Sequence, residues 1–275
     1  MTQPPLSRPL AIIWTIAFFG VGMILTTIAA IAAHGVGIGG LGSEVIGELV
    51  GFGIATYVIG VRVLKLDAVS LRYSPANTRA IGVAVGLGSG IALAALAMIL
   101  ALPVGAAWGR TAGSFGGWAG AALGTAAVLL PAAFAEELVF RGVGMVALAG
   151  AFGRWPAIIT IAVLFGLAHL GNDHVTGLAV INVTLAGIFL GAMFFLPGGI
   201  WTATAAHLGW NATLAALGAP VSGLPFAIPF LSYRSTGPAW VAGGAFGPEG
   251  GIFASVVLVA AVVFLARRSI QGKAA

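Results

Sequence analysis

The chain contains no cysteine and very few charged side chains. Only 7% of its 275 residues are charged and 60% are hydrophobic, whereas soluble domains carry about 25% charged residues. The absence of cysteine excludes disulfide bonds and cysteine-based metal or redox chemistry. Because so little charge cannot cover the surface of a water-soluble protein of 27.4 kDa, the composition predicts a chain that lies mostly in lipid.

Eight apolar segments predict membrane-spanning helices, each of which needs about 20 apolar residues. We predict an all-α fold, a polytopic transmembrane helical bundle of about eight spans, with residues 1–275 in a single transmembrane domain. Residues 119–217 are expected to form a four-helix core that carries the candidate site. The five prolines of residues 218–250 indicate a long Pro/Gly-rich outer loop or a re-entrant segment. The eight segments are residues 9–33, 45–64, 80–102, 119–148, 155–171, 177–196, 199–217 and 251–266.

The scattered basic residues agree with this number of spans. With a cytoplasmic N-terminus, nine of them fall on the inner side and only Arg110 and Arg234 on the outer side, as the positive-inside rule requires. The net charge of +5 therefore indicates topology in the cell membrane, and no nucleic-acid partner. The first apolar run exceeds a signal-peptide core, so we expect a retained anchor, although residues 29–33 could mimic a cleavage site. The nine are Arg8, Arg62, Lys65, Arg72, Arg79, Arg154, Arg267, Arg268 and Lys273.

The fourth predicted span holds three charged side chains, Glu136, Glu137 and Arg141. A charge at the centre of a spanning helix costs about 2.5–3.5 kcal/mol on insertion scales. Three charged residues in one span therefore indicate a functional or structural role. Glu137 and Arg141 are four residues apart and can form a salt bridge on one helix face. Glu136 lies about 100° around the helix, free to face a pocket. The structural alternative is that these residues only form an ion pair that links two helices. The second glutamate would then have no role.

Two histidines and an asparagine are the other polar candidates. Phe165 precedes His169 by one turn, and Asn211 follows His207 by one turn on the same helix face. If the fourth helix continues to about Leu148, Glu136 and His169 lie roughly 18 and 21 Å along their helices from the connecting turn. His207 and Asn211 lie about 12 and 18 Å from the Gly199 turn, on the same side. These groups are thus expected at one depth, where they would form a site.

Other polar residues are expected outside this layer. Asn172, Asp173 and His174 follow the fifth span and suit a polar turn, with a substrate or metal contact as the alternative. His34, Glu44 and Glu48 are expected near the first outer loop at the membrane interface, with entry of Glu48 into the second span as the alternative. Glu249 and Arg234 are expected to face water in the long outer loop.

Three motifs resemble those of the CPBP family, which comprises CAAX proteases and bacteriocin-processing or self-immunity enzymes, including the Ras-converting endopeptidases. They are Glu136-Glu137-x-x-x-Arg141, Phe165-x-x-x-His169 and His207-x-x-x-Asn211, in that order along residues 119–217. The resemblance implies an intramembrane endopeptidase that acts on a membrane protein or peptide. It implies that Glu136 and His169 activate a water molecule, and that His207 and Asn211 help to bind the scissile carbonyl.

The same residues allow a metal-dependent alternative. Glu136, His169 and His207 make up the His₂Glu set of catalytic zinc sites. However, the helical motif that pairs two histidines four residues apart around a glutamate is absent. We therefore favour metal-free water activation and leave a divalent ion, such as zinc, as the alternative.

Two rival classes of function remain open in the sequence. Buried Glu and His residues also occur in transporters and proton relays, although no internal repeat and no pair of interrupted helices is evident. A non-catalytic immunity or scaffold protein is the second rival. The charge rule also places the polar layer beyond mid-membrane from the cytoplasm, whereas the eukaryotic relatives act on cytosolic tails. Either the fourth helix ends before Leu148 or the orientation is reversed.

Overall fold

A computed structural model describes residues 6–74 and 80–271 as a bundle of helices with one short, two-stranded antiparallel sheet. Arg79 and Lys273, which enter the charge count above, lie outside the described residues. A π-helical segment, Thr56–Val63, extends α2 without a break. The helices are α1 Arg8–Gly35, α2 Leu41–Ala55, α3 Ala80–Gly105, α4 Phe115–Phe140, α5 Val143–Phe152, α6 Arg154–Ala168, α7 Gly177–Phe194, α8 Ile200–Ala216, α9 Ala239–Ala242 and α10 Ile252–Gln271.

Each of the eight predicted spans corresponds to a helix or a helix pair. Six helical segments of the described chain are long and apolar enough to cross a membrane, which confirms a multi-pass membrane protein. The remaining two predicted spans are α8, which has 17 residues, and α10, which ends beyond Arg267 and Arg268. The six are Arg8–Gly35, Leu41–Val63, Ala80–Gly105, Phe115–Phe152, Arg154–Gly171 and Gly177–Phe194.

The predicted extension of the fourth helix to Leu148 is wrong. The helix ends at Phe140 and resumes as α5 at Val143, with Arg141 and Gly142 outside helical geometry. Gly142 lies so close to its neighbours that an added Cβ would stand 2.5 Å from the Leu138 carbonyl oxygen. Any larger residue would clash at this position. Glycine therefore lets the backbone leave the helix here while the neighbouring residues stay packed. Glu136 therefore lies about 6 Å, roughly one turn, from the end of α4.

Helix α8 lies at the centre of the bundle and is the helix against which the site is built. Most of its side chains are buried, including those of His207 and Asn211. It packs against α3 through Gly86 and Gly90, where an added Cβ would stand 2.3 and 2.1 Å from carbonyl oxygens of α8. Small residues four apart thus allow two backbones to approach closely in the membrane.

The predicted outer loop, residues 218–250, is a packed structure with its own short elements. Strand β2, Leu231–Ser235, pairs antiparallel with β1, Ala106–Arg110, which directly follows α3. Helix α9 and two 3₁₀ turns, Gly244–Phe246 and Pro248–Gly250, complete the segment. The side chains of Val221, Tyr233, Phe246 and Glu249 are buried. The segment therefore covers one end of the bundle as an ordered cap.

Candidate active site

A cavity of about 350 Å³ lies between α2, α4, α6, α7 and α8 and is covered by the 218–250 segment. Apolar side chains such as Phe52, Leu190 and Trp210 form much of its wall. Such a concave, mostly apolar cavity with a few convergent polar groups is the usual form of a binding site. Its polar lining consists of Thr26, Glu44, Glu48, Glu136, His169, Asn172, His207, Asn211, Ser222 and Glu249.

The predicted ion pair between Glu137 and Arg141 forms at the end of α4. Arg141 Nη1 lies 3.1 Å from Glu137 Oε1, and both side chains are fully buried. Arg141 also donates from Nη2 to the Gly187 carbonyl oxygen of α7 at 3.0 Å, and its guanidinium lies 4.9 Å from the Phe165 ring centre. A buried charge pair is tolerated only when further hydrogen bonds satisfy it. The pair ties α4 to α7 and α6 and is only partly satisfied, because Glu137 Oε2 and Arg141 Nε have no hydrogen-bond partner among the described residues.

A second contact of Glu137, with His207, was not predicted. His207 Nδ1 lies 3.0 Å from Glu137 Oε1, the same oxygen that accepts from Arg141. Because an ionised carboxylate can only accept hydrogen bonds, the proton of a neutral His207 ring resides on Nδ1. The lone pair of Nε2 is then directed away from Glu137. Glu137 thus fixes both the tautomer and the orientation of the ring.

His169 has the same arrangement with a different acceptor. It is the first residue after α6, and its Nδ1 lies 2.8 Å from the Phe165 carbonyl oxygen one turn earlier. A carbonyl oxygen also only accepts, so Nδ1 carries the proton and Nε2 the lone pair. The Phe165 ring, at 4.6 Å between ring centres, supports the imidazole from one side.

Glu136 is the point at which both imidazoles meet. Its Oε2 lies 3.9 Å from His169 Nε2 and 3.9 Å from His207 Nε2. The Glu136 side chain is 27% exposed to the cavity, yet Oε2 itself is buried and has no hydrogen-bond partner within the described part of the chain. A buried carboxylate oxygen of this kind requires a donor from a water molecule or a ligand. Three helices thus place one unpaired oxygen and two ring nitrogens around a common point.

Asn211 and the turn after α6 complete the lining. Asn211 lies one turn after His207 on α8 and borders the cavity with a largely buried side chain. Asn172 also borders the cavity and donates to the Ser222 carbonyl oxygen at 2.9 Å. His174 is exposed in a turn with a φ of +59°, outside the cavity lining, as predicted for a polar turn.

Two glutamates are placed differently from the prediction. Glu48, expected at the interface with entry into the second span as the alternative, lies in α2 and borders the cavity. Glu249, expected to face water, is 7% exposed and accepts hydrogen bonds from Trp210 Nε1, Ser222 N and Ser222 Oγ. Burial raises the pKa of Glu249, and the three donors oppose that change. In the sequence, Glu249 lies in an apolar, glycine-rich stretch. No local pattern there distinguishes a buried glutamate from one that faces water.

The Glu249 segment is anchored to α7 by Asn182, which sequence reasoning did not single out. Asn182 Nδ2 donates to the carbonyl oxygens of Glu249 and Gly251 at 2.7 and 2.8 Å, and its Oδ1 accepts from Ser255 Oγ. Asn182 is almost fully buried. A buried amide within an apolar helix was the signal that could have identified it.

The chemistry of Glu136, His169 and His207 matches the donors of a catalytic zinc site. Among residues 6–74 and 80–271, no group of three or more His, Cys, Asp or Glu side chains is arranged closely enough to hold a metal ion. Glu136 Oε2 lies 3.9 Å from each ring nitrogen, which is too long for a direct hydrogen bond. The donor types thus fit a metal, whereas their spacing does not form a metal cluster.

The fold and site together define a polytopic membrane protein with a polar, glutamate- and histidine-lined cavity inside its helical bundle. Residues 116–213 match the Rce1-like family, described as type II CAAX prenyl endopeptidase Rce1-like. This match, over about a third of the chain, confirms the resemblance indicated by the three motifs. It contains every residue of those motifs and, at the level of the family, supports an intramembrane protease with peptide substrates. No curated protein matches the chain.

Proposed function

We propose that this protein is an intramembrane endopeptidase that hydrolyses peptide bonds with a water molecule activated by Glu136 and His169. The observation that carries the proposal is the unpaired Glu136 Oε2, which lies 3.9 Å from Nε2 of both imidazoles. A water molecule between these atoms can donate to the carboxylate and to one ring nitrogen. Its oxygen lone pair then remains free to attack a carbonyl carbon.

Glu136 is the proposed general base. When the water oxygen bonds to the scissile carbonyl carbon, its proton passes to the Glu136 carboxylate, and the carbonyl π electrons move to the oxygen. The C–N bond then breaks as the same proton is delivered to the leaving amine. General base catalysis of this kind contributes about 10²–10⁴-fold in rate. His169, fixed through Nδ1, is proposed to orient the water.

His207 and Asn211 are the proposed stabilisers of the developing oxyanion. Both residues border the cavity from one face of α8. The Asn211 amide can donate directly to the oxygen, while His207 can donate once Nε2 is protonated, because Glu137 then balances the imidazolium charge. A donor preorganised in this way is worth about 2.7–4 kcal/mol in a hydrolase. Glu137 and Arg141 are positioning residues that hold the His207 ring.

The metal-dependent alternative has a direct test. Glu136, His169 and His207 would hold a divalent ion, which would supply Lewis-acid polarisation of the carbonyl. We favour hydrolysis without a metal, because no group of three or more His, Cys, Asp or Glu side chains in the described residues is arranged to hold an ion. Elemental analysis of the purified protein checks this: a stoichiometric ion whose removal by a chelator abolishes cleavage would reverse the preference.

Cleavage of a membrane-peptide library by the purified full-length chain tests the proposed function. We expect cleavage products with the parent protein and none with Glu136→Ala. The matched control is Asp67→Asn, which changes an exposed carboxylate in a loop and keeps an oxygen that can accept from the Ser70 amide. Equal product formation by the parent and by Glu136→Ala would disprove the proposal. Coupled ion or solute flux without cleavage would identify a transporter, and neither activity would indicate a scaffold or immunity protein.

A further inference from the structure

A second cavity, of about 550 Å³, lies between α3, α6, α7 and α10, apart from the candidate active site. Its walls are apolar over most of their area, with side chains such as Leu93, Ile158, Met193 and Ala261. Its only charged lining residues, within the described part of the chain, are Arg154 and Arg268. An apolar cavity with guanidinium groups of one sign has the polarity of an anionic amphiphile.

The charged groups mark one end of this cavity. Arg154 is the first residue of α6, and Arg268 lies in the last turn of α10. From Arg268 to Ala261 the wall extends roughly 10 Å along α10. Phe195 and Leu196, just beyond the end of α7, border the same end. The cavity thus has a cationic rim and an apolar interior that continues along the helices.

Within the described part of the chain, neither rim arginine forms an ion pair with an acidic side chain. Among residues 6–74 and 80–271, the only ion pair made by an arginine or lysine is that of Arg141 with Glu137. Arg154 and Arg268 lie over the rings of Phe195 and Phe264, at 5.3 and 4.8 Å. A guanidinium that lies over an aromatic ring keeps its N–H donors available for an anion at its edge.

A third cation strengthens the positive charge beside the rim. Arg72 donates from Nε to the Phe194 carbonyl oxygen at 2.8 Å and from Nη2 to that of Leu196 at 2.7 Å. Burial, and then the neighbouring charge of Arg154, lower the pKa of Arg72. The end of α7 is therefore surrounded by guanidinium groups, on the side to which the positive-inside rule assigns the cytoplasmic leaflet.

We propose that this cavity binds one anionic phospholipid of the surrounding membrane, with an acyl chain against the apolar wall and the phosphate at Arg154 and Arg268. Phosphate oxygens accept paired hydrogen bonds from guanidinium groups. Basic pockets between membrane helices on the cytoplasmic side bind anionic headgroups in this way. The exposed apolar faces of α3 and α10, including Ile91 and Phe264, put the cavity next to lipid. The proposal is independent of peptide hydrolysis.

Native mass spectrometry of the full-length chain, released from nanodiscs of phosphatidylglycerol or phosphatidylcholine, tests it. We expect one retained phosphatidylglycerol per protein and weaker retention of phosphatidylcholine. The double variant R154Q/R268Q should bind phosphatidylglycerol roughly 25-fold more weakly, since each basic residue near an anionic headgroup contributes roughly fivefold. The charge-matched control R62Q/R267Q should stay within about twofold of the parent, because neither residue borders the cavity and a charge at a distance from the headgroup is screened at physiological ionic strength.

A third variant tests the apolar part of the site. Ala92 lines the cavity from an exposed position on α3, so Ala92→Phe can fill the cavity without entering the packed core. It should reduce retention of both lipids, with thermal unfolding in detergent unchanged. Equal phosphatidylglycerol binding by R154Q/R268Q and the parent would overturn the proposal, and so would equal losses in both double variants. Displacement of the lipid by inorganic phosphate alone, or a change in dimer content with Ala92→Phe, would assign the cavity to a free anion or a second copy.

Discussion

Glu136 at the end of α4 and Glu249 in the 218–250 segment line the same cavity in opposite ways. Glu249 accepts three hydrogen bonds, from Trp210 and from the amide and hydroxyl of Ser222. Glu136 Oε2 is also buried but accepts none from the described residues, and two imidazole nitrogens lie 3.9 Å from it. A carboxylate saturated with donors holds structure together, whereas one left without them can accept a proton from a reactant.

Glu136 and Glu137 show a similar difference in hydrogen bonding within a single helix turn. Glu137 follows Glu136 directly, and its Oε2 is also buried without a partner among the described residues, yet its Oε1 accepts from both Arg141 and His207. Adjacent residues on a helix point about 100° apart, so identical side chains enter different surroundings. The chemistry of Glu136, Glu137 and Glu249 therefore depends on the hydrogen-bond donors around each of them, and substitutions can test each residue separately.

The largest expected effect is that of Glu136→Gln. The amide keeps the size of the side chain but cannot act as a base, so the rate of peptide cleavage should fall by about 10²–10⁴-fold. Thermal unfolding in detergent should be unchanged, because Oε2 makes no hydrogen bond that the variant would lose. Cleavage kinetics and unfolding are measured on the same preparation. A variant that unfolds early but cleaves at the parent rate would reverse the roles assigned to the two acids.

Arg141→Met should cause the next largest effect, and it should fall on stability. The substitution leaves Glu137 as an uncompensated buried charge, which costs about 3–5 kcal/mol. The matched control is the double variant Glu137→Gln/Arg141→Met, which removes both charges and should recover part of the loss. Chemical unfolding in detergent measures both. If the single variant unfolds like the parent, Glu137 is not held by Arg141 in the way described.

Asn211→Ala tests the proposed stabilisation of the developing oxyanion. Loss of an oxyanion donor should lower kcat by about 10²–10³-fold with little change in KM, because the contact forms in the transition state. Thr213→Ala is the control on the same helix, since Thr213 lies outside the cavity lining and bonds to the Gly209 carbonyl oxygen. A rise in KM with constant kcat would instead make Asn211 a substrate-binding residue.

Much of this arrangement could be predicted because its signals are local. The Glu137–Arg141 pair follows from a spacing of four on a helix, and the helices follow from long apolar runs. The meeting of Glu136 with both histidines was also predicted, although from a helix drawn too long. Glu136 precedes the break at Arg141 and Gly142, so the part of the predicted helix that carries it is helical in the structure.

The remaining features depend on contacts between distant residues. The break after Phe140 depends on the packing of Gly142, near which the Tyr73 hydroxyl and the Phe18 ring lie. The pairing of β1 with β2 joins residues more than a hundred positions apart. Glu249 is 39 residues from Trp210 and 27 from Ser222. No periodicity of the sequence encodes such partners, so the burial of Glu249 was not predicted.

Glu249→Gln should have the smallest effect and a distinctive pH dependence. The amide loses one acceptor and should destabilise the protein by about 1–3 kcal/mol. Since burial raises the pKa of Glu249, the folded state holds this proton more tightly than the unfolded state. The carboxyl group's contribution to stability is therefore greatest below the ordinary glutamate pKa of about 4.3 and declines as pH rises through the folded-state pKa. Relative to Glu249→Gln, the parent should lose stability over that rise.

Thermal unfolding of the parent and of Glu249→Gln across this pH range provides the measurement. Trp210→Phe is the informative control, because it removes the Nε1 donor at 3.0 Å while the carboxyl group still titrates. Its unfolding should keep the pH dependence that Glu249→Gln lacks. A parent that becomes more stable than Glu249→Gln as pH rises would show that the three donors outweigh burial. Glu249 would then resemble Glu137, an ionised acid held by its partners, and the contrast with Glu136 would be sharper still.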